Sequence, residues 1–350
     1  MTPTIFSEHG YFPALRTRRS ELELGYGNLP EADKDKITPL IGLCRWPRQD
    51  TMTSTIDRVG EIMGDRRFFA DICKDRALLT RDFYRTFDED DAYRSWRDVA
   101  ATMPGAIPMV QAHSGRALRP IVRQALALER AHGSIGLRIP PNDWGRSLAV
   151  GIITALDAPT NATIFIDSGF ITQINGNDFA RDLVATINAL RDEVAEVFIV
   201  GLSTSFPRTV TPFGETEGEI PNLDRSLHKA FSAEAVFCYG DHASIHVEPY
   251  DIRARGFTPR IDYPNPESWV YERHAGREDG RGYRIAGERL LARGALQGAP
   301  DIWGVDQIKA AAEGDLTDRN VPAFWIGVRV NIHLHQQLHY AKAQGQDEDW

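Results

Sequence analysis

Short apolar runs rich in β-branched and aromatic residues return eight times along the first two thirds of the chain, each followed by room for a helix. They are Tyr11–Arg16, Ile37–Leu43, Arg67–Cys73, Ala106–Gln111, Ser134–Ile139, Ala162–Asp167, Glu196–Leu202 and Ala235–Tyr239. Strands that alternate with helices make parallel sheets, because a parallel neighbour is reached only through a crossover. Most of the runs are apolar throughout instead of alternating, as in strands buried on both faces. Between them, Arg119–Ala131 and Phe179–Val194 place Leu, Ile, Val and Ala at three- and four-residue spacing with charges on the other face, and Ile56–Met63 is a shorter example. Asn177 and Asp178 are expected to cap the helix over Phe179–Val194.

Eight such units over roughly 230 residues match a (β/α)8 barrel, typically about 250 residues long. The rival is an open doubly wound sheet. Such a sheet would commonly carry a G-x-G-x-x-G or G-x-x-x-x-G-K-[ST] phosphate loop at a strand end, and neither occurs. Residues Gly240–Trp350 change character: they are richer in Gly, Pro, Arg and Asp, with turns expected at Tyr263–Glu267 and Gly276–Gly282. Short strands are expected at Phe257–Tyr263 and Trp269–Tyr271, a helix at Tyr283–Arg293, a strand at Ala323–Ile332 and a frayed acidic tail at Gln344–Trp350. The expected fold is α/β: a TIM-barrel-like (β/α)8 part over residues 1–240, with an α+β elaboration over 241–350 closing one end within the same domain.

Charge and cysteine content narrow the function classes. The 350 residues carry 40 Lys and Arg against 49 Asp and Glu, a net charge of -9, which argues against an extended nucleic-acid surface. Cys44, Cys73 and Cys238 are too few and too far apart for a disulfide framework or a CxxC zinc site, which favours a reducing, cytoplasmic setting. Met1–His9 has no basic segment leading into an apolar one, and no stretch approaches the roughly 18 apolar residues of a membrane span, so no membrane partner is expected.

In a parallel barrel the site lies at the carboxyl ends of the strands. Those positions hold Arg16 with Arg18 and Glu21, then Arg45, Asp71 with Lys74, Gln111 with His113, Arg138, Asp167, Ser203 with Ser205, and Asp241 with His242. Carboxylates beside arginines stay ionised, and arginines clamp planar anions. Asp71, Asp167 and Asp241 could share a divalent metal, or one could act as general base on water while Arg16 and Arg138 hold an anionic group. The plain alternative is a polar rim whose charges pair with one another. His333 and His335 would point to one side of a strand, as in some metal sites, but no third ligand is evident from spacing, and two histidines hydrogen-bonded in a buried strand are the alternative. His242 and His246 lack the glutamate of H-E-x-x-H. No G-x-S-x-G elbow occurs; Cys44 beside Arg45 could be an activated thiol but reads rather as a buried inert one, and the aromatic and basic stretch Phe83–Arg97 could stack bases but contains the acidic run Asp88–Asp91 and reads rather as an amphipathic surface helix.

Several blocks together resemble the phage and bacterial Beta family. Tyr11–Glu21 (YFPALRTRRSE) with Ile37–Ile41 (ITPLI) is similar to its N-terminal strands and basic turn. Tyr239–Ala243 (YGDHA), Pro259–Tyr263 (PRIDY), Trp269–Arg273 (WVYER), Trp303–Ile308 (WGVDQI), and Trp325 with Asn331–Leu334 resemble its later blocks. His242 stands where that pattern has Tyr, Val305 interrupts its Trp-Gly-Asp block, and Leu334 separates two histidines that are adjacent in it. The resemblance adds Glu21, Asp241, Arg260, Tyr263, Arg273, Asp306 and His333 to the site residues, and it implies a setting of phage–host conflict such as anti-phage defence without implying a reaction.

Taken together, the expectation is a cytoplasmic hydrolase of the phosphoester or nucleotide type acting on an anionic small molecule. Glu21, Asp167 and Asp241 would supply acid/base or metal-ligand carboxylates, and Arg16, Arg138, Arg260, Tyr263, Arg273, Asp306 and His333 would bind substrate. A cofactor beyond a divalent metal is not indicated. The alternative is a noncatalytic sensor that recognises a phage or defence-system protein or a host component.

Overall fold

The structure is a computed structural model describing residues 10–49, 51–232, 234–235, 237–247, 257–277 and 279–340. The N-terminal stretch Met1–His9 and the expected acidic tail Gln344–Trp350 lie outside the described residues, as do Val236 of the eighth run and Glu278 of the second turn. In chain order the strands are β1 (Ala14–Arg16), β2 (Leu40–Leu43), β3 (Phe68–Ile72), β4 (Ala106–Pro108), β5 (Ile135–Ile139), β6 (Ala162–Phe170), β7 (Phe198–Thr204), β8 (Glu217–Pro221), β9 (Cys238–Asp241), β10 (Arg260–Pro264) and β11 (Ser268–Arg273). The chain is a mixed α/β protein with parallel sheets, and each of the eight apolar runs holds a parallel strand.

The chain divides into two compact units. The first comprises Met1–Thr17, Ile37–Thr204 and Asp224–His242; the second comprises Arg18–Lys36, Ser205–Leu223 and Ala243–Trp350.

The first unit contains two four-stranded parallel sheets, ordered β1-β2-β3-β4 and β5-β6-β7-β9. Single parallel bridges join Met109 to Gly136 and Tyr11 to Tyr239, with Val110 N donating to Gly136 O at 2.8 Å and Phe12 N to Tyr239 O at 3.1 Å. Phe12, Leu40, Phe69, Ile107, Met109, Phe165, Val200 and Leu202 form one apolar cluster, and the Phe69 and Phe165 rings meet edge-on at 4.8 Å. Gly136 is required here by space: a Cβ would run into Met109 Sδ and come within 2.9 Å of Phe69. The helices between strands are locally encoded. Met52–Met63 starts at Thr51, whose side chain accepts from Ser54 N, and Asp143–Ile153 starts at Asn142, whose Oδ1 accepts from Gly145 N. Leu118–His132 ends at Gly133, whose φ of 73° suits glycine.

One local expectation is corrected. The helix over Gly176–Glu193 begins three residues before the expected Phe179, with Asn175 at its N-cap. Asn177 and Asp178 therefore lie inside its first turn, where Asp178 complements the helix dipole instead of capping. The stretch Phe83–Arg97 forms parts of short helices with Phe83, Tyr93 and Trp96 buried, Tyr84 exposed and Trp96 Nε1 donating to Met109 O at 2.8 Å.

The second unit holds an antiparallel sheet, β10-β11-β8, with Asn265 N bonded to Ser268 O across the expected turn. Helices Arg281–Ala292, Trp303–Ala312 and Pro322–Leu338 pack on it around Ile261, Tyr263, Tyr283, Val305, Ile308, Trp325, Val328 and Ile332. The expected strand Ala323–Ile332 is thus the first part of a helix. Pro322 sits in its first turn, where its missing N–H and fixed φ suit a helix start. Its Val328-Arg329-Val330-Asn331-Ile332 alternation imitates a strand, and because every residue from Gly327 to Leu334 is buried, no polar stripe marks the 3.6-residue period. A π-helical turn, Arg19–Tyr26, crosses this helix closely: a Cβ on Gly25 would strike Val330 Cγ1, and one on Gly327 would lie 2.6 Å from Leu24 Cβ.

Replacing Phe165 with Ala should lower the unfolding free energy by about 3–5 kcal/mol, the range for deleting a buried ring. Denaturant unfolding checks this, and a cost below about 1 kcal/mol would mean that the Phe12–Phe69–Phe165 face is not tightly packed.

Candidate functional site

Side chains of a strand alternate between its two faces. On β3, Phe69 lies in the apolar cluster and Asp71 follows two residues later on the same face; on β6, Phe165 is followed in the same way by Asp167. Arg138 on β5 is level with Phe165 and reaches Asp167 Oδ2 through Nε at 2.8 Å and Nη2 at 2.5 Å. Its Nη1 lies 3.8 Å from Asp71 Oδ2. Asp71 is buried, and its Oδ1 accepts from Ile72 N at 2.8 Å and from Gln111 Nε2 at 3.0 Å, with Lys74 Nζ 3.5 Å away. His242, just past β9, places Nε2 3.1 Å from Asp167 Oδ1, which also accepts from Gly169 N at 2.9 Å.

These groups form one connected network from Gln111 through Asp71, Arg138 and Asp167 to His242. Burial alone would raise the Asp167 pKa, but Arg138 and His242 outweigh it and hold the carboxyl well below the usual carboxylate range. Burial likewise opposes the charge on Arg138, and Asp167 and Asp71 hold its pKa above the ordinary value. Because Asp167 is ionised and can only accept, His242 presents a proton to it on Nε2, and in the neutral tautomer this leaves the lone pair on Nδ1. Two buried acceptors, Asp71 Oδ2 and Gln111 Oε1, have no hydrogen-bond donor among the described residues. The site thus gathers an imidazole, a guanidinium edge and two oxygens without a hydrogen-bond donor, Asp71 Oδ2 keeping ion-pair contacts to Lys74 at 3.5 Å and Arg138 at 3.8 Å, with Arg138 and Asp167 still 20% and 14% exposed.

Asp241 faces the other way. Tyr239 and Asp241 share one face of β9, and Gly240 and His242 follow the other alternation. Tyr11 Oη donates to Asp241 Oδ1 at 2.7 Å, and Tyr239 Oη donates to Oδ2 at 2.8 Å. The two rings stack at 5.7 Å, and the Arg225 guanidinium lies 3.5 Å from the Tyr239 ring centre. Burial and the Asp241 charge push both phenols well above their ordinary pKa. Asp167 and Asp241 thus act on opposite sides of the sheet, and Asp71, Asp167 and Asp241 are not brought to one point. Arg16 closes β1, partly buried.

The remaining expected residues belong to the second unit. Glu21 is buried in the π-helical turn. Arg260 Nε binds Asp262 Oδ1 at 2.9 Å, and Arg329 Nη1 binds Asp262 Oδ2 at 2.7 Å while its guanidinium stacks 4.0 Å from the Phe206 ring centre. Tyr263 sits in the apolar cluster, and burial raises its pKa. Arg273 lies at the end of β11, with Nη1 3.4 Å from Glu215 O and Nη2 3.4 Å from Thr258 Oγ1. Asp306 is exposed on its helix beside Lys309, and buried His333 stacks on Trp269 at 5.7 Å. On a helix, His333 and His335 point about 200° apart, so the expected one-sided pair does not form. His335 instead shares a face with His339, and both meet Asp33.

The thiols are unpaired with one another, and burial pushes Cys238 up to about 11. His242 and His246 have separate partners, Asp167 and the Phe206 carbonyl. Among the described residues no helix is long and apolar enough to cross a membrane.

Sequence reasoning gave Gln111 and His242 no role and missed the Tyr11–Asp241–Tyr239 cluster. Counting alternation back from Phe165 and Cys238 separates His242 from Asp241, and this is the signal that could have found them.

Two comparisons bear on identity. The family model described as Beta protein matches residues 11–339. "Protein beta" of Enterobacteria phage P4 is 34% identical over 341 residues, covering 97% of this chain and 95% of that protein.

Burial and neighbouring Arg225 lower the pKa of His228 from 6.5 to about 4. The unfolded chain then binds more protons between those values, so this contribution to stability is complete above pH 6.5 and is lost as the pH falls to about 4. The unfolding free energy of the wild type should fall through this window more steeply than that of His228→Gln, by up to ~1.4 kcal/mol per pH unit. Parallel curves in denaturant titrations would contradict it.

Proposed function

The chain belongs to the Beta protein family, and within that family we propose that it is a phage-related acid–base enzyme, a hydrolase acting on an anionic small molecule or nucleotide. The observation that carries this reading is the Asp167–His242 pair beside Arg138. A carboxylate that fixes an imidazole tautomer leaves the opposite nitrogen to take a proton from water. The Nη1 edge of Arg138 makes only a long 3.8 Å ion pair to Asp71, so an anionic oxygen of the ligand has a guanidinium edge to bind. Asp71 Oδ2 and Gln111 Oε1 would accept from a hydroxyl or amine of the same ligand.

This reading takes the eight parallel strands as one closed (β/α)8 barrel. The Tyr11–Tyr239 and Met109–Gly136 bridges support closure, and the network then lies where barrel sites are built, at the carboxyl ends of the strands. Asp241 becomes a positioning group tied to two tyrosines, and Glu21, Arg260, Tyr263, Arg273, Asp306 and His333 are assigned to the second unit's own packing and ligand contacts. A cytoplasmic place and a part in phage–host conflict, including anti-phage defence, go with the family setting.

The second reading is a noncatalytic sensor with the same pocket. It is favoured by the pairing of Arg138 with Asp167 and Asp71, which leaves little net positive charge to bind and polarise an anion. Screening nucleotides and phosphoesters for turnover separates the two. For the enzyme, His242→Gln and Asp167→Asn should each lower kcat by about 10²- to 10⁴-fold with cooperative unfolding retained. Saturable binding with no turnover, or turnover indifferent to His242→Gln, would reject the enzyme.

A further inference from the structure

The second unit holds a donor set that the proposed chemistry does not use. His335 and His339 are four residues apart at the end of helix Pro322–Leu338, so their imidazoles lie on one face. Both turn to Asp33, in the short helix Glu31–Lys34, more than three hundred positions earlier in the chain. His335 Nδ1 lies 2.6 Å from Asp33 Oδ2, and His339 Nε2 lies 2.9 Å from Asp33 Oδ1. The two rings are 4.5 Å apart, and the three donor atoms lie within 4.8 Å of one another.

We propose that Asp33, His335 and His339 bind a divalent transition-metal ion of the zinc class. Two imidazole nitrogens and one carboxylate oxygen are a borderline donor set that suits Zn²⁺, Co²⁺ or Ni²⁺, whereas Mg²⁺ and Ca²⁺ prefer oxygen alone. The ligand atoms are gathered at present through hydrogen bonds, and metal–ligand bonds of about 2.0–2.2 Å place tetrahedral donors roughly 3.4 Å apart, so each Asp–His pair must open by less than an ångström around the ion. Each bound imidazole gives up the proton it shares with the carboxylate or changes tautomer, so binding weakens as the pH falls.

The backbone supports the arrangement. Gly25 against Val330 and Gly327 against Leu24 fix the π-helical turn on the long helix, and Asn331 Nδ2 donates to Gly25 O at 2.9 Å. The helix that bears His335 is thereby packed on the turn that leads to the Asp33 segment before any ion arrives. Exposure rises from Asp33 at 8% through His335 at 18% to His339 at 27%, so the open side lies by His339. Three protein donors leave a fourth position there for water or a ligand atom, and the ion would staple Arg18–Lys36 to the last helix of its own unit.

The test uses the full chain, stripped with a chelator and titrated with Co²⁺ alone and with Zn²⁺ alone. One equivalent of Co²⁺ should give visible absorption of a four- or five-coordinate site, Zn²⁺ should displace it, and Zn²⁺ should raise Tm where Mg²⁺ does not. His339→Ala, at the more exposed ligand, should weaken Zn²⁺ binding at least tenfold while keeping the metal-free Tm within a few degrees; Asp33→Asn and His335→Ala should weaken it further. Retained one-to-one binding in His335→Ala/His339→Ala would overturn the assignment. So would a chelator-treated wild type with no Co²⁺ absorption and no Zn²⁺ shift in Tm, which would identify an ion-free carboxylate–histidine clamp. Neither result depends on hydrolase activity.

Discussion

The alternation of side chains along the parallel strands is the constraint from which the first unit follows. One set of positions carries Phe69, Phe165, Val200 and Leu202 into a shared apolar layer and, two residues further on, delivers Asp71 and Asp167 to the same face. The other set turns Tyr239 and Asp241 away from that layer. A slip of one residue in β6 would bury Ile166 where Phe165 packs and remove Asp167 from Arg138, so core and site are held by the same register.

The network that results is nearly balanced in charge. Asp71 and Asp167 contribute two negative charges, and Arg138 with the more exposed Lys74 offsets them. Such balance explains why ionised groups persist in a largely buried place, since an isolated buried charge would neutralise itself by shifting its pKa. It also explains why Asp167, despite burial, stays anionic and fixes the tautomer of His242. Asp241 reaches the same end differently: two phenol hydroxyls donate to its oxygens, and the phenols in turn stay protonated.

Much of the parallel architecture was legible because buried strands of this kind are continuous in sequence, as Ile37–Leu43 and Arg67–Cys73 illustrate. Strand ends likewise pointed to Asp71, Arg138 and Asp167. What could not be read was which of two adjacent strand-end residues faces which way, and so Asp241 was grouped with Asp167 while His242 was passed over. The last helix reads as a strand for a different reason: Arg329, Asn331 and His333 alternate with Val328, Val330 and Ile332 at the period of a strand, and because all of them are buried no polar stripe marks the helical period. The Asp33–His335–His339 cluster was out of reach, since local spacing says nothing about a partner three hundred residues away and the helical geometry that pairs His335 with His339 had been taken for a strand.

Stability alone does not account for the Asp71–Arg138–Asp167 network. The strand layer beneath it is filled by Phe, Leu, Met and Val, and continuing that pattern outward would have met no geometric obstacle. Buried ion pairs replaced by well-packed apolar residues are commonly neutral or more stable, because the attraction between the charges barely repays their loss of water. Gln111 Oε1 has no hydrogen-bond donor among the described residues, at a cost of about 1–3 kcal/mol, and Asp71 Oδ2 has only ion-pair contacts to Lys74 at 3.5 Å and Arg138 at 3.8 Å. Under the proposed function, such a network at the end of an apolar layer holds its polar groups for a ligand. On that proposal, the oxygens of Asp71 and Gln111 call for a hydrogen-bond donor, and the Nη1 edge of Arg138 for an anionic or carbonyl oxygen, on the same small molecule.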